Sequence, residues 1–341
     1  MIASKPVGSN DSFYTFNCLL KEQKDNGLIE VFKKIKQFYN ILIEWYTNRE
    51  LYHKIGYLIA SKSFGRRTAQ RQDLPYHPPT LGDLVNNALS RNRTTFVSEI
   101  DAKIRASIAI DIDIDSLTYG VHNNEIAKVL LLFNIQTYIN AININELYPF
   151  QAHKDKPWSI EHIHARNSDN IDENRKAEWI RWLGAHTGVL QSIVIENPNS
   201  SVGAKADELK SSINRVNNVR TITWAIFEDV FNQVLQFFTD GEENNGEGMD
   251  ELGNLALLRQ SDNAFLSNSV FEVKRQAIMA LDARMSFIPI CTRRAFMKFY
   301  STAAAEQNFY WSSEDRRDYL HSIKDTIQQY LPNNNQTSLA H

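Results

Sequence analysis

The densest run of chemically capable side chains is Trp158–His164, in which Glu161 and His162 are neighbours and His164 follows two positions on. An imidazole has the intrinsic pKa to take a proton from water near neutral pH, and a carboxylate is a hard oxygen donor of the kind magnesium prefers. Adjacent side chains on a strand point to opposite faces. Glu161 and His162 therefore serve one site only if the strand ends there, which a turn at Ala165–Asn167 would allow. A second dense run spans Leu252–Asn263. Asn254 sits in an apolar segment read as a short strand over Leu252–Leu258, and Asn263 follows nine residues later. Ser269 and Glu272 then have the spacing of a capping box, which predicts a helix running to about Arg284. Alone, a Glu-His pair fits a surface or structural role as well as a catalytic one.

Other charged groups are open to two readings. Asp111, Asp113 and Asp115 alternate with Ile110, Ile112 and Ile114, which places three carboxylates on one face of an extended segment: a metal-binding face, or a solvated strand edge kept from aggregating by charge. Arg66, Arg67 and Arg71, with Arg91 and Arg93, can form a phosphate-binding surface or be plain solvated arginines. Trp158 and Phe150 flank the Glu-His pair as core packing or as stacking partners for bases.

The elements that must position these groups are mostly helical. Apolar residues recur at three and four from Gly27 to Ala60, and again from Leu81 to Ile108, where Thr80 is the expected N-cap. Asn124–Asn140 reads as a helix buried on most sides, and Tyr148–Ile163 as strand and loop punctuated by Pro149 and Pro157. A helix opened by Asp172 carries Trp179, Trp182 and Leu183, and a longer helical pattern covers Ala206–Phe238. Asp240–Glu251 reads as a flexible acidic loop, Pro289–Leu331 as helical, and Asn333–His341 as a polar tail. No internal repeat is present.

With 341 residues, 43% of them hydrophobic, the chain can bury a sizeable core and is expected to divide into about two domains. Its 18 Phe, 13 Tyr and 6 Trp argue against general disorder. The longest apolar run, Val129–Phe133, is far short of a membrane span, and no signal-peptide pattern opens the chain, so the expected setting is the cytoplasm, with no membrane. Cys18 and Cys291 are too few and too far apart for a disulfide framework or a cysteine zinc knuckle, which leaves metal binding to His, Asp, Glu or Asn. A net charge of −3 advertises no whole-chain nucleic-acid field, although a local patch can hide within it.

Glu161-His162, Asn254 and Asn263, in that order, resemble the ββα-metal motif of HNH endonucleases. More narrowly, WSIEHIHARN and LGNLALLRQSDNAFLSNSVFEVKR resemble the C-terminal nuclease domain of the GmrSD family of modification-dependent restriction proteins, which includes SspE-type phage-defence proteins. The likeness extends upstream through LTYG, LLLFNI and YPFQAHK to about Ser116, and more loosely to LYHKIGYLIA, so it covers well over half the chain. One departure is the sequence His164-Ala165-Arg166, where the family often has a proline.

The resemblance implies a mainly α fold with a small α+β insert: helices over 1–115, an HNH nuclease domain over 116–288 interrupted by a helical insertion at 171–240, and C-terminal helices with a polar tail over 289–341. It implies a Mg²⁺-dependent DNA endonuclease of a type IV restriction or anti-phage system, with Mn²⁺ able to substitute. His162 would be the general base, Glu161 and Asn263 the metal ligands, and Asn254 the residue that holds the hairpin and orients His162. His164, Lys274, Arg275, His153 and Lys154 are candidates for DNA contact, and modified phage DNA for the substrate. The family's nucleotide-dependent domain with its Asp-Gly-Gln-Gln-Arg motif has no counterpart here, nor is there a phosphate-binding GxxxxGK[ST] loop, so an NTPase or sensor domain or subunit is the expected partner. The rival functions are a catalytically silent DNA-binding or regulatory subunit and an RNA-cleaving toxin of the same chemistry.

Overall fold

The computed structural model describes residues 18, 27–65, 78–108, 113–141, 146–155, 157–164, 174, 176–218, 222–239, 248–263, 269–302 and 309–332. Arg66, Arg67, Arg71, Asp111, the turn expected at 165–167, the expected helix start at Asp172, residues 240–247 of the acidic loop and the C-terminal tail lie outside them. Among the described residues the chain is mainly helical with one small antiparallel sheet of two strands, as expected.

The N-terminal helices are α1 (Gly27–Thr47), α2 (Arg49–Ala60), α3 (Leu81–Ser90) and α4 (Arg93–Ile108). The helical periodicity from 27 to 60 is broken at Asn48, whose side chain accepts from the Leu51 backbone N–H and caps α2. Thr80 caps α3 as expected, in a reciprocal capping box with Asp83. The extended reading of the aspartate-rich segment fails where it is described. Ile114–Ser116 is a single 3-10 turn whose start is fixed by the Asp113 side chain, and Asp115 pairs with Lys324.

Helix α5 (Asn123–Asn140) is buried from Ile126 to Tyr138 at every position but Lys128. It packs against α2, α4 and both strands. Most of its buried polar groups are engaged: Asn134 Nδ2 donates to Leu130 O while its Oδ1 accepts from Cys291 N, the Thr137 hydroxyl donates to Phe133 O, and Gln136 Nε2 donates to Asn140 Oδ1 while its Oε1 is left without a partner. A helix apolar all round survives in water only when enclosed in this way.

After α6 (Phe150–Asp155), a short helix where strand or loop was expected, β1 (Trp158–His162) pairs antiparallel with β2 (Leu255–Arg259), Trp158 opposite Arg259 and His162 opposite Leu255. The expected strand start at 252 is instead a 3-10 turn, Leu252–Asn254, so Asn254 precedes β2 rather than lying in it. Between the strands come α7 (Lys176–Glu196), α8 (Ser201–Asn217) and α9 (Trp224–Phe237). The single pattern read over 206–238 is thus two helices, the second opened by Thr223 as N-cap. These three helices close around a second hydrophobic core containing Trp179, Trp182, Phe227 and Phe231.

Beyond β2, α10 (Gln260–Asn263) packs on both strands, followed by α11 (Phe271–Ala283), α12 (Ile290–Phe296) and α13 (Ser313–Ile327). One continuous core joins residues from Trp45 in α1 to Tyr330, and includes Leu255–Leu258 of β2. Thr292 Oγ1 donates to Leu257 O and Trp311 Nε1 to Gly253 O, so the C-terminal elements grip the second strand and its turn directly. Among the described residues no helix is long and apolar enough to cross a membrane.

Gly253 is required by close approach: a Cβ there would lie 2.6 Å from the Arg316 carbonyl oxygen, and backbone cannot swing aside. Gly253→Ala is expected to cost about 1–3 kcal/mol of stability through overpacking, read as a lowered urea midpoint at unchanged slope.

Candidate functional site

The end of β1 is held by one amide. Asn254 is fully buried; its Oδ1 accepts from His164 N at 3.0 Å, and its Nδ2 donates to His164 O at 3.0 Å and to Met249 O at 2.8 Å. Its own carbonyl accepts from Ile163 N at 2.8 Å. The backbone just beyond His162 is thus clamped to the turn that leads into β2. Such local bonding satisfies polar groups that a strand ending inside a core would otherwise strand.

His162 projects to the partly open side, about one-fifth exposed, with Nε2 3.0 Å from Asp250 Oδ1 and its ring edge-on to Tyr119 at 4.7 Å. Both neighbours are fixed by a second short pairing. Tyr119 N donates to Asp250 O at 2.8 Å, and Thr118 bridges to Glu251. Facing a carboxylate, Nε2 carries the proton it donates, and Nδ1 keeps its lone pair. Burial pushes the His162 pKa below its ordinary value, against the opposing pull of the Asp250 hydrogen bond. A neutral ring with a free lone pair and an oriented tautomer can accept a proton.

Glu161 points the other way, into the protein, where Lys274 Nζ of α11 lies 2.6 Å from its Oε1 and also donates to His162 O at 2.6 Å. Both side chains are almost completely enclosed. Lys274 therefore neutralises Glu161 and braces the end of β1, rather than presenting a charge to DNA phosphate. Arg275 is paired bidentately with Glu272.

His164 is buried, not beside His162 on an open face, because the strand stops at His162. Its Nδ1 accepts from Phe271 N, and His186 Nε2 accepts from Val270 N, so two imidazoles receive backbone N–H groups at the start of α11. The capping box expected from Ser269 and Glu272 does not form, and Glu272 pairs with Arg275 instead. Each ring must stay neutral to accept, and burial holds both His164 and His186 at about 3. His153 is likewise mostly buried, bonded to the Tyr148 hydroxyl and packed on Trp158, and burial takes its pKa to about 4, so its ring is neutral and brings no positive charge to phosphate. Lys154 is exposed and, with His153 and Phe150, lines a cleft of about 680 Å³ against α1 and α2; none of Glu161, His162, Asn254 and Lys274 lines it.

Asn263 ends α10 beside the hairpin, and its side chain lies outside the described residues. Arg91 pairs with Glu99 and Arg93 with Glu44. Phe150 and Trp158 both pack against the main core. Among the described residues no group of three or more His, Cys, Asp or Glu is placed to hold a metal ion. Sequence reading missed Asp250 and Tyr119. The available signal for Asp250 was the apolar Met249 inside an acidic run, a residue that proves to be buried. Comparison with family models, curated proteins and solved structures finds no match to this chain.

Two outcomes are expected. Asn254→Ala leaves the His164 N–H and the His164 and Met249 carbonyls without their partner, at about 1–3 kcal/mol for each group left unpaired; faster amide exchange at His164 checks that the clamp has opened. The second concerns acid. The unfolded chain binds protons on His153, His164 and His186 near 6.5, and the folded chain only near 3 to 4. Their stabilisation is therefore complete above 6.5 and lost as pH falls towards 4, with unfolding near pH 5 taking up about three protons through these rings. Urea midpoints across pH 4–7 measure the slope, which His164→Gln is expected to reduce by about one proton.

Proposed function

We propose that the protein is a Mg²⁺-dependent HNH-type DNA endonuclease of a GmrSD-like restriction or anti-phage system, with His162 as general base. The observation that carries the reading is His162 itself: a neutral imidazole at the end of a clamped hairpin, its tautomer set by Asp250, next in sequence to a carboxylate and facing partly outward. Asn254 acts as a positioning residue, since its three hydrogen bonds fix the backbone on which His162 stands. The order Glu161-His162, Asn254, Asn263 on hairpin and following helix adds the resemblance to the family.

Oxygen donors of this kind suit magnesium, which commonly takes one or two protein ligands and keeps several waters. Glu161 and Asn263 would be the residues to hold it, and bound there it would supply Lewis-acid stabilisation of the charge that develops on phosphate oxygens. As placed, Glu161 is turned inward, away from His162, and held by Lys274, so metal binding beside His162 requires the carboxylate to exchange Lys274 for the ion. Nδ1 of His162 takes a proton from the attacking water, Asp250 stabilises the imidazolium that results, and Tyr119 limits the ring's rotation.

The Lys274–Glu161 ion pair is also the observation that favours the rival, a silent DNA-binding or regulatory subunit, because it leaves the carboxylate without net charge. Modified phage DNA is the proposed substrate and a separate sensor or NTPase the proposed partner. Cleavage of supercoiled plasmid, unmodified and phage-modified, with Mg²⁺ or Mn²⁺ and with and without that partner, separates the readings; structured RNA in the same panel tests the toxin reading. His162→Ala is expected to lose about 10²- to 10⁴-fold in rate. Asp250→Asn removes a group that raises the His162 pKa, so the acid limb of its pH–rate profile is expected to move to lower pH. Cutting by His162→Ala at the wild-type rate would remove His162 from the mechanism, and cutting by neither protein under any condition would favour the silent subunit.

A further inference from the structure

The cleft of about 680 Å³ that α6 forms with α1 and α2 has two chemically different ends. At one end three rings join: Tyr46 of α1 lies edge-on to Tyr52 of α2 at 6.0 Å, and Tyr52 packs on Phe150 of α6 at 5.5 Å. The Tyr52 hydroxyl donates to Tyr148 O at 3.1 Å, which fixes that ring. Phe150 lies directly on α2 at Gly56, where any Cβ would run into it. At the other end stand two cations, Lys62 in the turn that follows α2 and Lys154 in the last turn of α6. Those two segments meet where Phe64 sits edge-on to His153 at 6.4 Å. Roughly 10 Å of chain axis separates Gly56 from Lys62. Among the described residues no Asp or Glu lines the cleft, and neither lysine forms an ion pair; the carboxylate within electrostatic reach of Lys62 is Asp83, which is bonded to Thr80.

We propose that this cleft binds a nucleoside 5′-monophosphate, its base against the rings of Tyr46, Tyr52 and Phe150 and its phosphate between Lys62 and Lys154. A concave site of this size, mostly apolar with a few convergent polar groups, is the usual form of a small-molecule pocket. Aromatic side chains hold any base through its π-face, and a lysine ammonium holds phosphate as a point charge. Two unpaired cations match the double charge of a phosphate monoester better than the single charge of a carboxylate. A fatty acid would suit the apolar wall but would leave one group unanswered. His153 also lines the cleft, and its Nδ1 is buried with no hydrogen-bond partner. A nucleoside carries hydroxyls and ring nitrogens with which an imidazole nitrogen can bond, and an acyl chain carries none. This assignment stands independently of the nuclease reading, because His162 and its neighbours do not line the cleft.

The test is calorimetric titration of the full chain with adenosine 5′-monophosphate (AMP), adenosine, dodecanoate and a single-stranded oligonucleotide. AMP is expected to bind with a Kd of about 10 μM, and adenosine at least about 10-fold more weakly. Raising salt from about 0.05 to 0.5 M is expected to weaken AMP but not adenosine. Lys62→Gln combined with Lys154→Gln is expected to keep the thermal midpoint, to bring AMP down to the affinity of adenosine and to leave adenosine unchanged. Tyr46, 64% exposed, can be truncated without opening the core; Tyr46→Ala is expected to weaken AMP and adenosine alike, by about 10-fold, through the loss of a stacking face. The proposal is overturned by no binding of AMP up to about 1 mM, or by AMP affinity that the two glutamines leave intact. It is overturned equally by dodecanoate binding more tightly than AMP, which would make this an acyl-anion cleft, or by an oligonucleotide that binds where AMP does not.

Discussion

One buried amide holds the site together. Asn254 reaches across the point where two segments about ninety residues apart in sequence meet, and spends its carbonyl and both amide hydrogens on backbone groups of His164 and Met249. No apolar side chain could fill that role, because the strand ends and their turn would bring unpaired N–H and C=O groups into the core. The same clamp fixes two directions at once. It ends β1 after His162, so that Glu161 faces the core and His162 the open side, and it brings Met249 inside, which sets Asp250 against the imidazole.

The inner face of the hairpin depends on that geometry. With Glu161 turned inward, its charge needs a partner, and Lys274 on the first turns of α11 supplies one while also capping the His162 carbonyl. The helix that carries Lys274 starts without a side-chain cap of its own, and its first N–H groups are taken by His164 and His186. Two imidazoles, one following β1 and one on α7, thus fasten α11 to both the hairpin and the second core. A buried ion pair contributes little net stability, since desolvation offsets most of the attraction, but removing either member leaves a buried charge unpaired. The pair therefore specifies where α11 sits more than it adds to how tightly it is held.

Sequence reading captured features that rest on local chemistry. The Thr80 cap, the enclosed helix ending at Asn140 and the helical character of most elements follow from residue types and spacing within a few turns, whereas the small two-stranded hairpin was expected only through the resemblance. What escaped was decided by distant partners. Ser269 and Glu272 have capping-box spacing, but imidazoles from elsewhere took the N–H groups first and Arg275 took the carboxylate. Lys274 and His153 have the composition of surface cations, yet tertiary packing gave each an internal partner. Asp250 was hidden in a run whose acidity and glycines spoke for a loop, and only the burial of its neighbour Met249 separates it from the rest.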